Sequence, residues 1–294
     1  MKELRGINYL RIKGLISILL LLLLVLGGCA NLKSIRKFSE ISSESATYTA
    51  FTDDYIKSVE RQKRFQDQSQ YQKLDKIIKE REAQRPGLLA FHKEVSEYMS
   101  AIGELASDEI ISYDKSLDEM SDAIENIRDR DGKQLFKKEQ IDAFRALSKL
   151  LAKAVTDAYR QHKLKEIIEL SNNDFQIVIN ALKKFIEIGY IESLYNEKVV
   201  IEKYYKKIIT IAEHSPPQHA AIELVKDKFF EKNDEVGKKL IAADSYIKIL
   251  DKIGKGHQLL YDNRNHISSE QLLATITGYG RDIAILYNAV KELK

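Results

Sequence analysis

Apolar residues recur every three or four positions along most of the chain beyond residue 46, which is the spacing of one helix face. The clearest run predicts a helix from about Leu88 to Arg128. A looser pattern predicts an earlier helix from about Ala46 to Gln84, ended by Pro86-Gly87, because proline disfavours helical geometry in the residue before it. No strand pair and no internal repeat is evident.

The same spacing continues from 137 to 212. An unbroken helix of that length would extend about 114 Å, so a bend or break is expected near 171–173 or Gly189. Ser215-Pro216-Pro217 predicts the start of a helix that reaches about Ile253. Ser268 and Gln271 form a capping-box pattern, which predicts a final helix ending at about Leu293.

These patterns predict an all-α fold, an elongated bundle of about four to six long antiparallel helices. Scarce prolines, three in 294 residues, favour long helices further. The bundle is expected to span 46–294, with a possible internal boundary near 213–216. Five serines and few apolar positions between residues 30 and 45 predict a flexible tether over residues 29–45.

The first 28 residues have the pattern of a signal peptide. A basic start precedes an uncharged segment from Leu15 to Leu26. As a helix this segment would rise about 18 Å, well short of the roughly 30 Å hydrocarbon core of a bilayer. A stable membrane span is therefore disfavoured. The basic start consists of Lys2, Arg5, Arg11 and Lys13.

Leu26, Gly27, Gly28 and Cys29 close this leader, and Cys29 is the sole cysteine of the chain. The four residues resemble the lipobox of type II signal peptides in bacterial lipoproteins. That resemblance implies cleavage before Cys29, with a diacylglycerol group on its sulfur and an N-acyl lipid on its new amine. The alternatives are cleavage by ordinary signal peptidase and an uncleaved signal anchor, with Cys29 incidental.

Two or three acyl chains on one residue would anchor the protein firmly to a membrane, whereas one chain anchors only marginally. Ala30 stands where the inner-membrane retention signal of such lipoproteins has aspartate. The resemblance therefore favours the outer membrane, facing the periplasm, with the inner membrane or the cell surface as alternatives.

Charge changes once the leader is set aside. Removing its four basic residues and one acidic residue from 47 Lys+Arg and 44 Asp+Glu leaves 43 of each. A formally neutral chain gives no support to nucleic-acid binding, which would need a basic excess or patch. With Cys29 lipidated, the mature chain would have no disulfide.

Charge is nevertheless uneven along the chain. Residues 104–131 carry ten acidic and three basic residues, and residues 137–165 carry eight basic and three acidic ones. Reversal of the chain at Gly132 is expected to bring Asp118 and Glu119 near Lys149, and Asp108 and Glu109 near Arg160. An external basic ligand for the acidic stretch is the alternative.

Catalytic and metal-binding patterns were sought and none is convincing. Asp129-Arg130-Asp131-Gly132 resembles the start of a calcium loop, but the later ligand positions do not fit, so a turn between helices is expected. Gly278-Tyr279-Gly280 follows no strand and is expected inside a helix. His214 and His219 lack helical ligand spacing, and the histidines are expected at caps or on the surface. We therefore expect no catalytic residue, no metal and no cofactor.

The function favoured by these patterns is a lipid-anchored, non-enzymatic helical scaffold or adaptor that binds another envelope protein. Its possible contact residues are Tyr204 and Tyr205, which cannot share one helical stripe, together with Asp118 and Glu119. The alternatives are an immunity lipoprotein that neutralises a toxin at the envelope and a ligand-binding or enzymatic helical bundle. The oligomeric state is left open.

Overall fold

The computed structural model describes residues 32–107, 109, 111–114, 117, 120–129, 132–156, 163–213 and 219–292. The prediction of an all-α fold is confirmed. In chain order the elements are α1 (Lys33–Ala46), α2 (Ala50–Lys63), a 3₁₀ turn (Gln68–Gln70), α3 (Tyr71–Ala106), α4 (Ser121–Glu125), α5 (Lys138–Thr156), α6 (Leu164–Lys184), a π-helical segment (Phe185–Ile191), α7 (Glu192–Glu213), α8 (His219–Asp262) and α9 (Glu270–Glu292).

The prediction of a flexible tether over 29–45 is wrong from Lys33 onward, because α1 is packed into the bundle. Its serines are not linker residues. Three of its five serines are buried, and their small side chains let α1 approach α3 closely, so that a Cβ added to Gly103 would lie 3.3 Å from Ser39 Cβ. On another face of α1, Phe38 packs against Gly256 of α8 and Gly280 of α9. The serines that face the interior are Ser39, Ser42 and Ser45.

The predicted helix end at Pro86-Gly87 is also wrong, because α3 runs through both residues. Side chains that follow Pro86, from Leu88 onward, are buried, and their packing outweighs the local cost of proline. Gly87 lies against the backbone of Ala123, since a Cβ there would be 2.8 Å from the Ala123 carbonyl oxygen.

The helix predicted from Leu88 to Arg128 ends at Ala106 instead. The Glu104 carboxylate accepts hydrogen bonds from the Ser112 backbone N–H (2.7 Å) and hydroxyl (3.0 Å), which turns the chain back. Later apolar positions such as Leu117 and Ile124 still enter the core. The spacing therefore identified core residues without identifying the end of the helix.

Near Gly189, where a bend or break is expected, a π-helical segment joins α6 to α7 within one continuous run of helix, and Ser171 to Asn173 lie inside α6. α8 passes through Gly254 and Gly256 and ends at Asp262, beyond the predicted Ile253. α9 begins at Glu270, with the Ser269 hydroxyl accepting from the Leu272 N–H at 3.4 Å. Gly278 to Gly280 lie inside α9 as expected. Ser215-Pro216-Pro217 lies outside the described residues.

α1 and α2 lie along α8, because Phe38 packs on Gly256, Tyr246 bonds to the Ala46 carbonyl and Lys239 bonds to Asp54. α1 and α2 follow each other antiparallel to α3, with Ser43 bonded to Ser96 and Thr52 to His92. α8 has 44 residues and therefore rises about 66 Å. Its C-terminal end reaches the end of the molecule that carries Leu32, which we name the proximal end. There Arg36 lies 3.5 Å from Glu109, and Lys165 bonds to Asn265 at 2.5 Å.

Candidate interaction surfaces

The N-terminal end of α8 and the C-terminal end of α7 form a helical hairpin at the opposite end of the molecule. We name its described residues, 204–213 and 219–230, the distal arm. Tyr205 packs on Phe229 across the hairpin, with ring centroids 5.8 Å apart. Beyond that contact, Ala212 and Ile222 are the buried side chains among those the structure describes in the arm. The distal arm thus stands largely clear of the bundle core.

Large apolar side chains on the distal arm face solvent. Ile211 is 61% exposed, Leu224 69% and Phe230 60%. A single apolar residue on a surface is ordinary, whereas an aromatic and two aliphatic side chains exposed on one projecting hairpin make the distal arm a candidate contact surface. The sequence pattern did not single out these residues, because exposure depends on which helices lie opposite them.

The predicted contact residues Tyr204 and Tyr205 lie at the base of the distal arm. Tyr204 is 39% exposed and packs edge-on to Phe65 of the 63–68 turn, with centroids 5.3 Å apart. Tyr205 is half-buried between the two helices, where burial raises the pKa of its hydroxyl. The two rings therefore face different neighbours, as their adjacency requires, and their role in binding stays a prediction.

An ion network fixes the base of the distal arm to the body. Arg61 donates to both Asp54 oxygens (2.8 and 2.9 Å) and to both Glu197 oxygens (2.6 and 2.9 Å). Lys239 and the Tyr190 hydroxyl also donate to Asp54, at 2.9 and 2.8 Å. Two cations thus balance two carboxylates across α2, α7 and α8.

The pKa values of Asp54 and Arg61 reflect both their burial and the charges of their partners. Burial pushes the pKa of Asp54 upward, but the hydrogen bonds and charge of Arg61, helped by Lys239, bring it below its ordinary value. Burial also opposes the charged form of Arg61, yet bonds to Glu197 and Asp54 raise its pKa above the ordinary value. Asp54 and Arg61 therefore both carry their charges at neutral pH.

A second surface is a groove of about 780 Å³, which lies within the roughly 300–1,000 Å³ usual for ligand sites. We name it the amide groove. Its walls are α2, the first half of α3, the 126–132 hairpin and the start of α7. Its lining combines amides, apolar side chains and cations: Gln62, Gln66, Gln70, Gln84, Asn126 and Asn196; Val59, Leu74, Ile77, Val199 and Val200; Lys73, Arg81, Arg128 and Lys203.

Arg81 forms the floor of the amide groove and joins its two sides. One terminal nitrogen donates to the Tyr55 carbonyl (2.5 Å) and to the hydroxyls of Ser58 (3.0 Å) and Ser193 (2.9 Å). Its guanidinium carbon lies 3.8 Å from the centre of the Tyr55 ring. These contacts hold α2, α3 and α7 in fixed relation, so the groove is preformed.

The pairs predicted between the acidic stretch and its basic neighbour each include residues that lie outside the described ranges. Asp118, Glu119, Asp108 and Arg160 lie outside the described residues, whereas Glu109 lies near Arg36. Arg145 of α5 contacts Asp122 (3.2 Å) and Glu125 (2.9 Å) of α4. The hairpin between them turns at Gly132, whose φ of 78° favours glycine, with Lys133 N–H donating to Asp129 Oδ1 at 2.9 Å.

The expectation that histidines occupy caps or the surface is wrong for His92 and His257, which are fully buried. His92 Nδ1 lies 3.0 Å from the Tyr246 hydroxyl, and His257 Nε2 lies 2.5 Å from the Tyr98 hydroxyl. His266 is exposed, and His162 and His214 lie outside the described residues. Within the described ranges, no group of three or more His, Cys, Asp or Glu residues is placed to hold a metal ion.

Leu26, Gly27, Gly28 and Cys29 lie outside the described residues. Leu32, three positions after Cys29, is buried at the proximal end. None of the helices that the structure describes has the length and apolar character needed to cross a membrane.

The fold defines the chain as an all-α helical bundle with a projecting hairpin. Comparison of the chain with protein-family models, curated proteins and solved structures finds no match.

Proposed function

We propose that this protein is a lipid-anchored protein of the bacterial cell envelope that acts without catalysis as a spacer and adaptor. Lipid on Cys29 would hold the proximal end at a membrane. The distal arm would then present its apolar residues to an envelope protein about 60 Å away, the reach of α8. The observation that carries this proposal is the placement of Ile211, Leu224 and Phe230 at the end of the molecule opposite Leu32.

The short link to the lipid supports a fixed spacer. Two residues, Ala30 and Asn31, separate Cys29 from Leu32, so at most about 11 Å of chain joins the lipid to the folded body. Because α1 is part of the bundle, the membrane would limit the orientation of the whole body. A flexible tether would not impose that limit.

A rigid connection between the two ends also supports the proposal. α8 runs from the distal arm to the proximal end as one helix, and its Lys239 binds Asp54 of the Asp54–Arg61–Glu197 network, which joins α8 to α2 and α7. The buried His92 and His257 serve the interior of the bundle, because their ring nitrogens face core hydroxyl and carbonyl groups. These features suit a protein that positions partners.

Charge variants of the distal arm test the proposal in the full-length lipoprotein. Leu224→Glu/Phe230→Glu is expected to abolish co-purification of the partner from crosslinked native membranes, because burying a carboxylate at the contact is unfavourable. The matched control is Leu170→Glu/Ile285→Glu, since these side chains are 57% and 62% exposed but lie on α6 and α9. Loss of the partner in the control but not in the arm variant would contradict the proposal.

A further inference from the structure

The amide groove differs from the distal arm in its chemistry, because it is polar inside and basic at its edge. The amide NH₂ of Gln62 donates to the Ser193 carbonyl at 3.2 Å, and that of Asn126 donates to the Asp122 carbonyl at 3.1 Å. Their side-chain oxygens are thereby left as the available acceptors. The Oε1 of Gln84, a side chain more than nine-tenths buried, has no hydrogen-bond donor among the described residues. Gln84 Oε1 is shut off from solvent, so the acceptors that the groove offers to the N–H groups of a ligand are the side-chain oxygens of Gln62 and Asn126.

The edge of the groove favours negative charge. Among its described lining residues are four cations and two carboxylates. The Glu80 carboxylate already lies 3.7 Å from Lys76, and Asp129 accepts a backbone hydrogen bond from Lys133. Lys73 and Lys203 are exposed on opposite walls, on α3 and α7. A ligand lying between them would meet positive charge on both sides.

The lining also discriminates between kinds of ligand. Leu74, Ile77 and Val199 provide an apolar strip between the polar groups. The aromatic ring of the described lining belongs to Tyr55, which is buried and covered by the Arg81 guanidinium. Nucleic-acid bases stack on exposed aromatic rings, and no such ring is offered by these lining residues. A polypeptide fits the lining better than a nucleic acid does, because its backbone carries N–H groups and its side chains can alternate between apolar and acidic.

We infer that the amide groove binds an extended, acidic polypeptide segment of a partner protein. Backbone N–H groups of the segment pair with the amide oxygens, its apolar side chains cover the strip of Leu74, Ile77 and Val199, and its carboxylates face Lys73 and Lys203. Successive side chains of an extended segment point to opposite sides. Apolar side chains can therefore face the strip while the acidic ones that alternate with them face the lysines. The site is separate from the distal arm and does not depend on it.

Peptide binding to the detergent-solubilised, full-length protein tests the site. The probe is a fluorescein-labelled dodecapeptide in which glutamate alternates with valine, and its counterpart has lysine in place of glutamate. The acidic peptide is expected to bind at least about tenfold more tightly in fluorescence anisotropy, because it exchanges repulsion for attraction at two lysines. Equal affinity for the two peptides would overturn the inference.

Charge reversal localises the binding. Lys73→Glu/Lys203→Glu is expected to weaken binding of the acidic peptide about tenfold. Lys238→Glu/Lys255→Glu, a matched change at two exposed lysines outside the groove, is expected to leave it within about twofold. Equal loss in both variants, or none in the first, would overturn the groove assignment. The Leu224→Glu/Phe230→Glu protein should bind the peptide normally, which separates this test from that of the distal arm.

Discussion

At the scale of single residues, the two buried histidines set the response of the fold to acid. His92 lies against the Tyr246 hydroxyl and the Ala46 carbonyl, and His257 lies between Tyr98 and Asn172. Burial lowers the pKa of His92 to about 4 and that of His257 to about 3. Both are therefore neutral in the folded protein at every pH near neutrality.

The unfolding free energy is expected to fall as the pH drops below 6.5. The unfolded chain then takes up protons that the folded histidines exclude, so their stabilisation is complete above pH 6.5 and is lost toward pH 4. Each histidine contributes a slope of up to about 1.4 kcal/mol per pH unit. Urea unfolding between about pH 7 and pH 5 measures it.

Variants separate this effect from other titrations. His92→Gln/His257→Gln is expected to flatten the slope, whereas His266→Gln, at an exposed position, should leave it unchanged. An identical slope in wild type and the double variant would show that the buried histidines do not carry the acid response.

Two glycines of α8 should respond oppositely to alanine. A Cβ at Gly256 would overlap the Phe38 ring, so Gly256→Ala is expected to cost about 1–3 kcal/mol of unfolding free energy. A Cβ at Gly237 would meet no atom within 4 Å, so Gly237→Ala should gain about 0.5–1 kcal/mol from helix propensity. Thermal or urea unfolding compares them. A Gly256→Ala protein as stable as the wild type would show that Gly256 is not a packing contact.

At the scale of elements, spacing predicted the helical class and many core positions, but local signals misplaced several boundaries. The polar composition of the serine-rich segment predicts a tether, yet its Phe38 packs on Gly256 and Gly280, more than 200 residues further along the chain. Pro86 predicts the end of a helix, although α3 continues through it because the residues that follow pack into the core. Tertiary contacts that no local window contains decide both outcomes.

The candidate surfaces were still harder to predict. Tyr204 and Tyr205 are predicted contact residues because adjacent tyrosines cannot both lie on one face of a helix. They mark the base of the distal arm. Leu224 and Phe230 continue an ordinary helical pattern, so their exposure follows only from the absence of a covering helix among the described residues. The amide groove joins residues of α2, α3, α7 and the 126–132 hairpin, which are brought together only by the fold.

The ion network at the base of the distal arm should matter more than any surface pair. Arg61→Ala is expected to cost about 3 kcal/mol of unfolding free energy, because it leaves the buried Glu197 carboxylate without its cation. Arg36→Ala, which breaks pairs with Glu40 and Glu109 whose side chains are about half exposed, should leave the unfolding free energy nearly unchanged. Chemical denaturation compares the variants. Equal losses would show that the buried network stabilises the fold no more than an exposed pair does.

At the scale of the whole molecule, membrane anchoring and folding are expected to depend on different residues. Cys29 precedes the folded body, whose α1 begins at Lys33. Cys29→Ser is therefore expected to release the protein from membranes while leaving its circular dichroism and unfolding midpoint unchanged, because the packed helices begin after Cys29. Membrane fractionation measures the release. A cleaved Cys29→Ser protein that remains with membranes would rule out the lipid anchor.

The anchored protein should then have its lipid at the proximal end and its partner contact on the distal arm. Site-specific photo-crosslinking in native membranes tests this arrangement most directly, with the photoreactive residue placed at Leu224 or, as the control, at the similarly exposed Ile285. The account predicts one discrete adduct with an envelope protein from position 224, none from 285, and loss of the adduct in the Cys29→Ser protein. An adduct from 285 and none from 224 would contradict it.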